Sequence, residues 1–200
     1  MSQGVDRDKR RFLTLLTTGV GAVGAGFAAT PFVMSMTPSA RAKAAGAPVE
    51  VDISKLTPGK LHTEEWRGKP VWILRRTPEM LQSLPTLDEK LADPASAVAE
   101  QQPAYTQNAT RSIKPEVLVV VGICTHLGCS PAKKLEAGSD AILGEDWSGG
   151  FFCPCHGSKF DLAGRVYKNV PAPTNLVVPP HSYLSDTRIV IGIDPKKGAA

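Results

Sequence analysis

The first forty residues differ from the rest of the chain in their pattern of apolar and charged positions. The 29 residues from Phe12 to Ala40 carry no charge, and a helix of about 20 residues already spans the ~30 Å hydrocarbon core of a bilayer. The run therefore predicts a membrane-spanning helix over residues 12–36, which Pro31 is expected to kink or end near its outer end. A basic flank precedes this helix and consists of Arg7, Lys9, Arg10 and Arg11.

After residue 48 the pattern changes to short apolar runs separated by glycine and proline. The first run, residues 49–54, alternates apolar and polar side chains, which is typical of a half-buried strand. Short helical turns are expected at 78–81 and 87–91, within a helix-and-loop insertion over 78–101. Such short strands favour a mainly β fold, an antiparallel β sandwich, over an alternating βαβ fold. The further strands are predicted at 70–75, 116–123, 150–153, 176–178 and 188–193.

The same pattern divides the chain into four parts. We expect a basic tail over residues 1–11, a transmembrane anchor over 12–36, a flexible hinge of linker composition over 37–48, and a globular head over 49–200. Basic residues next to a membrane helix stay on the cytoplasmic side. The tail is therefore expected in the cytoplasm and the head on the far side of the membrane.

The basic flank also resembles an export signal. The stretch Lys9–Leu13, Lys-Arg-Arg-Phe-Leu, is similar to a twin-arginine signal, either through Arg10-Arg11 or through a Lys9-Arg10 variant. An ordinary basic flank of a membrane helix is the alternative interpretation. The stretch Ala40–Ala42 has the small-x-small form of a processing site, where cleavage would remove the anchor, but the long uncharged run favours retention.

Composition and charge mainly exclude other classes of protein. Lys and Arg number 23 and Asp and Glu 19, giving a formal charge of +4, and the sequence contains no run of five like charges. No nucleic-acid partner is therefore expected. The 18 glycines and 17 prolines fit a turn-rich fold. The scarce residues are the four cysteines and four histidines.

All four cysteines and two of the histidines lie in two short boxes. The boxes read Cys-Thr-His-Leu-Gly-Cys over 124–129 and Cys-Pro-Cys-His-Gly-Ser over 153–158. Two disulfides are one possibility, but each box places a histidine two or three residues after a cysteine, as a loop with two metal ligands does. Gly128 and Gly157 fit a loop that needs positive φ. A second possibility is structural zinc, which leaves Cys129 and Cys155 unused; its ligands would be Cys124, His126, Cys153 and His156.

This pair of boxes resembles the two motifs of Rieske iron-sulfur proteins, in particular those with a disulfide between the cluster loops. The resemblance implies one [2Fe–2S] cluster with two cysteines on one iron and two histidines on the other. It further implies a disulfide between Cys129 and Cys155, and a cluster-binding role for Ser158. The implied ligands are Cys124 and Cys153 on the first iron and His126 and His156 on the second.

Flanking stretches make the chain similar to one family of Rieske proteins, the Rieske subunit of ubiquinol:cytochrome c reductase. The similar stretches are residues 68–71 and 113–116, together with the anchor and its alanine-rich hinge. In that family the head is a β sandwich with a cluster-binding subdomain, here about residues 113–175. The loop formed by Pro171, Ala172 and Pro173 would cover the cluster.

Two features depart from the family pattern. Phe160 stands where many members have a tyrosine that hydrogen-bonds a ligand sulfur. Because such bonds favour the reduced cluster, we expect Phe160→Tyr to raise the midpoint potential, by about 20–60 mV for one hydrogen bond, and Ser158→Ala to lower it. The second departure is the long stretch between the boxes, where residues 132–150 are expected to form a surface insertion.

The resemblance implies a role in respiration. The chain would be the Rieske subunit of a quinol-oxidising, proton-translocating complex in a bacterial inner membrane, with a periplasmic head. His156 would take a proton from quinol, and the head would swing on its hinge to pass the electron on to a c-type cytochrome. Leu127 would be an exposed contact to the b-type subunit, or would pack against the facing loop. The implied partners are quinol, the lipid bilayer, a cytochrome b subunit and a c-type cytochrome subunit in a dimeric complex.

Two other functions remain open at this point. One is the small Rieske subunit of a periplasmic molybdenum oxidase such as arsenite oxidase, and the other is a zinc-stabilised β domain that serves only in assembly. His62 and His181 have no cysteine nearby in the sequence and are expected to be surface residues.

Overall fold

The computed structural model describes residue 4, residues 6–138 and residues 142–195. Within these residues the chain forms two compact units that divide after Ala44. The first unit contains one long helix, and the second contains the β-strands and several short helices. The prediction of a mainly β protein with one long apolar helix near its N-terminus is confirmed.

Helix α1 comprises Arg7–Ser35 and is about 44 Å long at 1.5 Å per residue. The Asp6 carboxylate caps its first turn by accepting the N–H groups of Asp8 and Lys9, both at 3.1 Å. The helix continues through Pro31, so of the two expected effects this proline does not end the helix, and the kink stays a prediction. Its apolar side chains are exposed along the whole length, and its length and composition suffice to cross a membrane. These properties fit a single-pass membrane anchor.

A second helix, α2, covers Ala40–Ala45 inside the segment predicted to be a flexible hinge. Alanine has the highest helix propensity, and the Ser39 hydroxyl accepts the N–H of Ala42 at 3.1 Å. The composition of this segment, which is typical of a linker, therefore did not predict helix α2.

Nine strands in the described part of the second unit form three antiparallel sheets of three strands each. The sheet orders are β1–β9–β8, β2–β3–β4 and β5–β6–β7. The strands are β1 Val49–Asp52, β2 Leu61–Trp66, β3 Lys69–Arg75, β4 Val117–Val121, β5 Ala132–Lys134, β6 Gly150–Phe152, β7 Lys159–Phe160, β8 His181–Ser185 and β9 Arg188–Ile191.

In the middle sheet, strands β3 and β4 are buried on both faces, whereas β2 is mostly exposed. On one face Val71 and Ile73 pack against Ile189 and its neighbours in the first sheet. On the other face Trp72 and Val120 pack against the third sheet and the two cysteine boxes. Burial on both faces explains why β4 is an unbroken run of apolar residues rather than an alternating one.

The segment between β3 and β4 is helical and irregular, as predicted. It contains α3, Pro78–Ser83, and three 3₁₀ helices, Pro85–Lys90, Ala99–Gln101 and Ala104–Thr106. Three buried arginines join it to the rest of the head through backbone carbonyls. Arg76 donates to Leu162 O at 3.1 Å, Arg111 to Leu176 O at 2.8 Å, and Arg165 to Leu84 O at 2.7 Å.

Two sequence predictions about local structure are wrong. Residues 176–178 do not form a strand, although the carbonyl of Val177 accepts the N–H of Val121 at 2.8 Å. Residues 132–150 are more than a surface insertion, because β5 lies in them and Trp147 is only 5% exposed. The indole N–H of Trp147 donates to Lys134 O at 2.8 Å, which fastens the segment to the third sheet. Residues 139–141 of this segment lie outside the described residues.

The two histidines outside the boxes differ in burial. His62 is exposed and lies 3.3 Å from the Glu64 carboxylate, as a surface histidine can. His181 is only 1% exposed, so its prediction as a surface residue is wrong. Its Nδ1 donates to Pro179 O at 2.9 Å, and burial lowers the pKa of its imidazole. His181 is thus a neutral core residue at the start of β8.

Candidate metal centre

The two cysteine boxes fold into the same type of turn. In the first box the N–H of Cys124 donates to Cys129 O at 2.7 Å, and in the second the N–H of Cys153 donates to Ser158 O at 2.8 Å. Each bond joins the first and sixth residues of its box. The first box follows β4, and the second connects β6 to β7. Two buried β elements therefore hold two closed turns at one end of the head.

A glycine closes each turn in the same way. The N–H of Gly128 donates to Cys124 O at 3.1 Å, and the N–H of Gly157 donates to Cys153 O at 2.9 Å. Both glycines have positive φ, 85° and 79°, where residues with a Cβ are strained. The sequence expectation for these two positions is met.

The turns bring the two thiols close to each other and the two imidazoles close to each other. Cys124 and Cys153 are each only 2% exposed, and their side chains lie within hydrogen-bonding reach of each other. The rings of His126 and His156 have centroids 4.8 Å apart and lie nearly perpendicular. His126 is partly buried, whereas His156 is exposed. Each predicted ligand of one box thus lies beside its counterpart in the other box, thiol beside thiol and imidazole beside imidazole.

The other two cysteines are joined to each other. Cys129 and Cys155 form a disulfide that links the first box to the second. The Sγ atoms of Cys129, Cys153 and Cys155 all lie within 4.8 Å of one another. Because sulfurs in a disulfide are not thiolate ligands, only Cys124 and Cys153 can act as thiolates here. A pairing of all four cysteines into two disulfides does not match this arrangement.

Two thiolates and two imidazoles are a donor set that fits a [2Fe–2S] cluster of the Rieske type. Burial raises the pKa of the Cys124 thiol, while hydrogen bonds from the His126 N–H and the Ser158 hydroxyl oppose that rise. Such donors stabilise negative charge on sulfur, which a metal-bound thiolate carries. The local environment therefore suits an iron-bound sulfur at Cys124.

The loop predicted to cover the cluster is attached to both boxes. The Ser158 hydroxyl accepts the N–H of Ala172 at 3.0 Å, and the Thr125 hydroxyl donates to Thr174 O at 2.7 Å. Ala172 is buried, which places the middle of Pro171–Pro173 against the head. Leu127, by contrast, is 72% exposed and does not pack into the facing loop. An apolar side chain at the tip of the first turn is thus available to a partner.

Phe160 and the buried arginines complete the surroundings of the site. Phe160 is fully buried in the core that contains both thiols, next to the stacked rings of Trp72 and Phe151, whose centroids are 4.9 Å apart. The buried Asp161 carboxylate accepts from Arg165 Nε at 2.8 Å, just after β7. The sequence alone does not single out these arginines, because most of their partners are backbone carbonyls that lie far away along the chain.

Comparison with known families agrees with this geometry. Residues 49–180 match the family model described as the Rieske [2Fe-2S] domain. Residues 1–39 match the model described as the TAT signal of the ubiquinol-cytochrome c reductase Fe-S subunit. A β head that presents paired cysteine and histidine turns and matches this domain is a Rieske [2Fe–2S] protein, so structural zinc is not favoured.

Several known proteins are similar to this chain and indicate which family of Rieske proteins it belongs to. The ubiquinol-cytochrome c reductase iron-sulfur subunit of Allochromatium vinosum is 65% identical and covers 96% of this chain and 92% of its own. That of Blastochloris viridis is 44% identical, with 96% of both chains covered. The mitochondrial Rieske subunit of the cytochrome b-c1 complex of Solanum tuberosum is 42% identical and covers 94% of this chain and 63% of its own. A chain of a hyperthermophilic respiratory Complex III structure is 27% identical, covers 88% of this chain and 98% of its own, and has a TM-score of 0.45.

The chain belongs to the family of ubiquinol-cytochrome c reductase iron-sulfur subunits. It is the Rieske electron carrier of an oxidoreductase, which confirms the function predicted from the sequence. The alternative of an arsenite oxidase subunit is not favoured.

Proposed function

We propose that Cys124 and Cys153 bind one iron of the Rieske cluster and that His126 and His156 bind the other. The observation that supports this assignment most directly is the pair of matching turns. They bring two free thiols next to each other and two imidazoles next to each other, while the remaining two cysteines are used in a disulfide. Ser158 assists as a hydrogen-bond donor to the Cys124 sulfur.

His156 is the residue that we assign to contact with quinol. When bound, a cluster with two imidazole ligands supplies a one-electron acceptor of higher potential than an all-thiolate cluster. The His156 ring is exposed, so its nitrogen that faces away from iron accepts a hydrogen bond from a quinol hydroxyl and then takes its proton. Leu127, exposed at the tip of the neighbouring turn, provides the apolar contact to the subunit that holds the quinol.

The loop over Pro171–Pro173 keeps water away from the sulfur side of the site. Its buried Ala172 is held by the Ser158 hydroxyl, and Thr125 holds the loop end at Thr174. Exclusion of water strengthens every hydrogen bond to sulfur, because the local dielectric constant is low. The cover thus assists electron uptake without contacting quinol.

The relatives are named as subunits of ubiquinol-cytochrome c reductase and of the cytochrome b-c1 complex. On that basis the partners of this chain are a cytochrome b subunit, which presents quinol, and a c-type cytochrome subunit, which accepts the electron. The assembly is a dimeric complex. The head moves between these partners on the hinge at residues 37–48, and the cluster-binding subdomain over about 113–175 makes both contacts.

The anchor at residues 12–36 crosses the inner membrane of a bacterium once. Its basic tail, residues 1–11, lies in the cytoplasm, because positive residues flank membrane helices on that side. The head, residues 49–200, lies in the periplasm. That compartment is oxidising, as the disulfide between Cys129 and Cys155 requires.

The test is a low-temperature electron paramagnetic resonance spectrum of native membranes, reduced first with ascorbate and then with dithionite. We expect a rhombic Rieske-type signal with ascorbate alone. His156→Ala should abolish it, whereas His62→Ala, which removes an exposed histidine outside the boxes, should leave it unchanged. A signal that needs dithionite would contradict quinol oxidation, and a signal that survives His156→Ala would contradict the ligand assignment.

A further inference from the structure

Three of the four cysteine sulfurs form a compact group at the tip of the head. The Sγ atoms of Cys129, Cys153 and Cys155 are all within 4.8 Å of one another. Two of these sulfurs are bonded to each other, and the third, on Cys153, is a free and buried thiol. A thiol next to a disulfide is the arrangement from which thiol–disulfide exchange proceeds.

We propose that iron ligation of Cys153 is what preserves the Cys129–Cys155 pairing, and that this pairing isomerises whenever Cys153 is free. The inference rests on the proposed role of Cys153 as an iron ligand. An iron-bound sulfur has its lone pair engaged and cannot attack. The same sulfur without iron lies beside its target and needs no access from solvent, because the reaction is intramolecular.

The exchange is balanced without any external oxidant. Cys153 loses its thiol proton and attacks the Cys129 sulfur, the bond between Cys129 and Cys155 breaks, and a bond between Cys129 and Cys153 forms. Cys155 leaves as a thiolate and takes up the proton. One disulfide and the same number of thiols exist before and after, so nothing is oxidised or reduced overall.

Attack on Cys129 is favoured over attack on Cys155. A bond between Cys153 and Cys155 would close a ring across a single intervening residue, and very short loops are stiff. A bond between Cys153 and Cys129 joins the two boxes, as the original disulfide does. The released thiol then belongs to Cys155, which is exposed, rather than to Cys129, which is partly buried. The product cannot bind a cluster at Cys153.

This chemistry orders the assembly of the protein. Cluster insertion must precede formation of the disulfide, since a chain oxidised first would hold Cys153 in the wrong bond. Oxidation of Cys129 and Cys155 therefore acts on a chain that already holds its cluster. The cluster must be inserted in a reducing compartment, where both cysteines are still thiols. The match of residues 1–39 to a TAT signal model fits export after that step.

Two serine variants distinguish exchange by Cys153 from a general loss of the disulfide when the cluster is missing. Cys124→Ser and Cys153→Ser each remove one proposed ligand, but only Cys124→Ser retains the attacking thiol. The full-length chains are purified in detergent without oxygen, alkylated, digested without reduction and mapped by mass spectrometry. We expect a Cys129–Cys153 peptide to grow in Cys124→Ser over minutes to hours, with Cys155 becoming alkylated. Cys153→Ser should hold the Cys129–Cys155 bond throughout.

If Cys129–Cys155 remains the sole disulfide in Cys124→Ser, the inference is overturned. A Rieske signal retained in either variant would instead refute the ligand assignment, whatever the pairing. As a second measurement that needs no substitution, the unmutated chain is tested after its iron is removed by a chelator without oxygen. If a Cys129–Cys153 bond forms while the number of free thiols stays at two, exchange is supported. A new Cys124–Cys153 bond beside an intact Cys129–Cys155 bond contradicts it.

Discussion

Removing the Ser158 hydroxyl should lower both the potential of the cluster and the stability of its cover. Ser158 is fully buried, donates to the Cys124 sulfur and accepts the N–H of Ala172 at 3.0 Å. A hydrogen bond contributes about 0.5–1.5 kcal/mol, and about 1.4 kcal/mol corresponds to 59 mV for one electron, so Ser158→Ala should lower the midpoint by about 20–60 mV. The Ala172 N–H, left buried without a partner, should lower the free energy of unfolding by about 1–3 kcal/mol.

A redox titration of the purified full-length chain, followed by its paramagnetic signal, measures the first effect, and thermal unfolding measures the second. Ser130→Ala is the matched control. Ser130 follows the first box, and its hydroxyl donates to the Gly122 carbonyl at 3.1 Å rather than to sulfur. A midpoint that does not change in Ser158→Ala, or that falls equally in Ser130→Ala, would refute the reasoning.

Three further predictions concern the rest of the chain. Asp161→Asn removes the buried one of the two carboxylates that pair with Arg165, the other being that of Asp88, and should lower the free energy of unfolding by about 3 kcal/mol. Asp186→Asn at an exposed ion pair should change it little, and urea unfolding compares the two variants. Burial lowers the pKa of His181, so the unfolded chain binds its proton more readily, and stability should fall as the pH drops below the ordinary value of 6.5. Thermal unfolding from about pH 8 to pH 5 should show a smaller fall in His181→Asn, and an equal fall would contradict this. Prolines at positions 42, 44 and 45 should slow quinol-dependent cytochrome reduction without changing the paramagnetic signal, and normal turnover would argue against the moving head.

The sequence predicted strands best where the strand's own side chains are apolar. β4 was recognised because all five of its residues are apolar, and they are buried by packing on both faces of the sheet. β2 was missed because Leu-His-Thr-Glu-Glu-Trp shows no clean alternation, and its strand form comes from six pairings with β3. Residues 176–178 have strand composition, yet they lie along the core as an extended segment outside the ladders that the structure describes. In both segments, pairing with neighbouring strands rather than intrinsic strand propensity determines whether a strand forms.

The buried arginines show a second limit. Arg111 is fully buried and bonds the carbonyls of Ala163 and Leu176, which lie 52 and 65 residues away in the sequence. Burial lowers the pKa of its guanidinium to about 10, so the group remains charged at neutral pH. Arginine is an exposed residue in most proteins, and its partners here are backbone atoms that leave no pattern in the side-chain sequence. Only the folded chain reveals that this cation organises the loops around the site.

The boxes, by contrast, specify their chemistry locally, but the meaning of the different spacing of the two histidines becomes clear only once the turns are known. When the two turns are aligned on their first-to-sixth hydrogen bonds, His126 and Cys155 occupy the third position, and Leu127 and His156 occupy the fourth. The fourth residue is exposed in both turns. The second box therefore presents an exposed imidazole where the first presents an exposed leucine. A shift of one position along the turn thus leaves His156 exposed and His126 partly buried, which is the difference that the proposed contact between His156 and quinol needs.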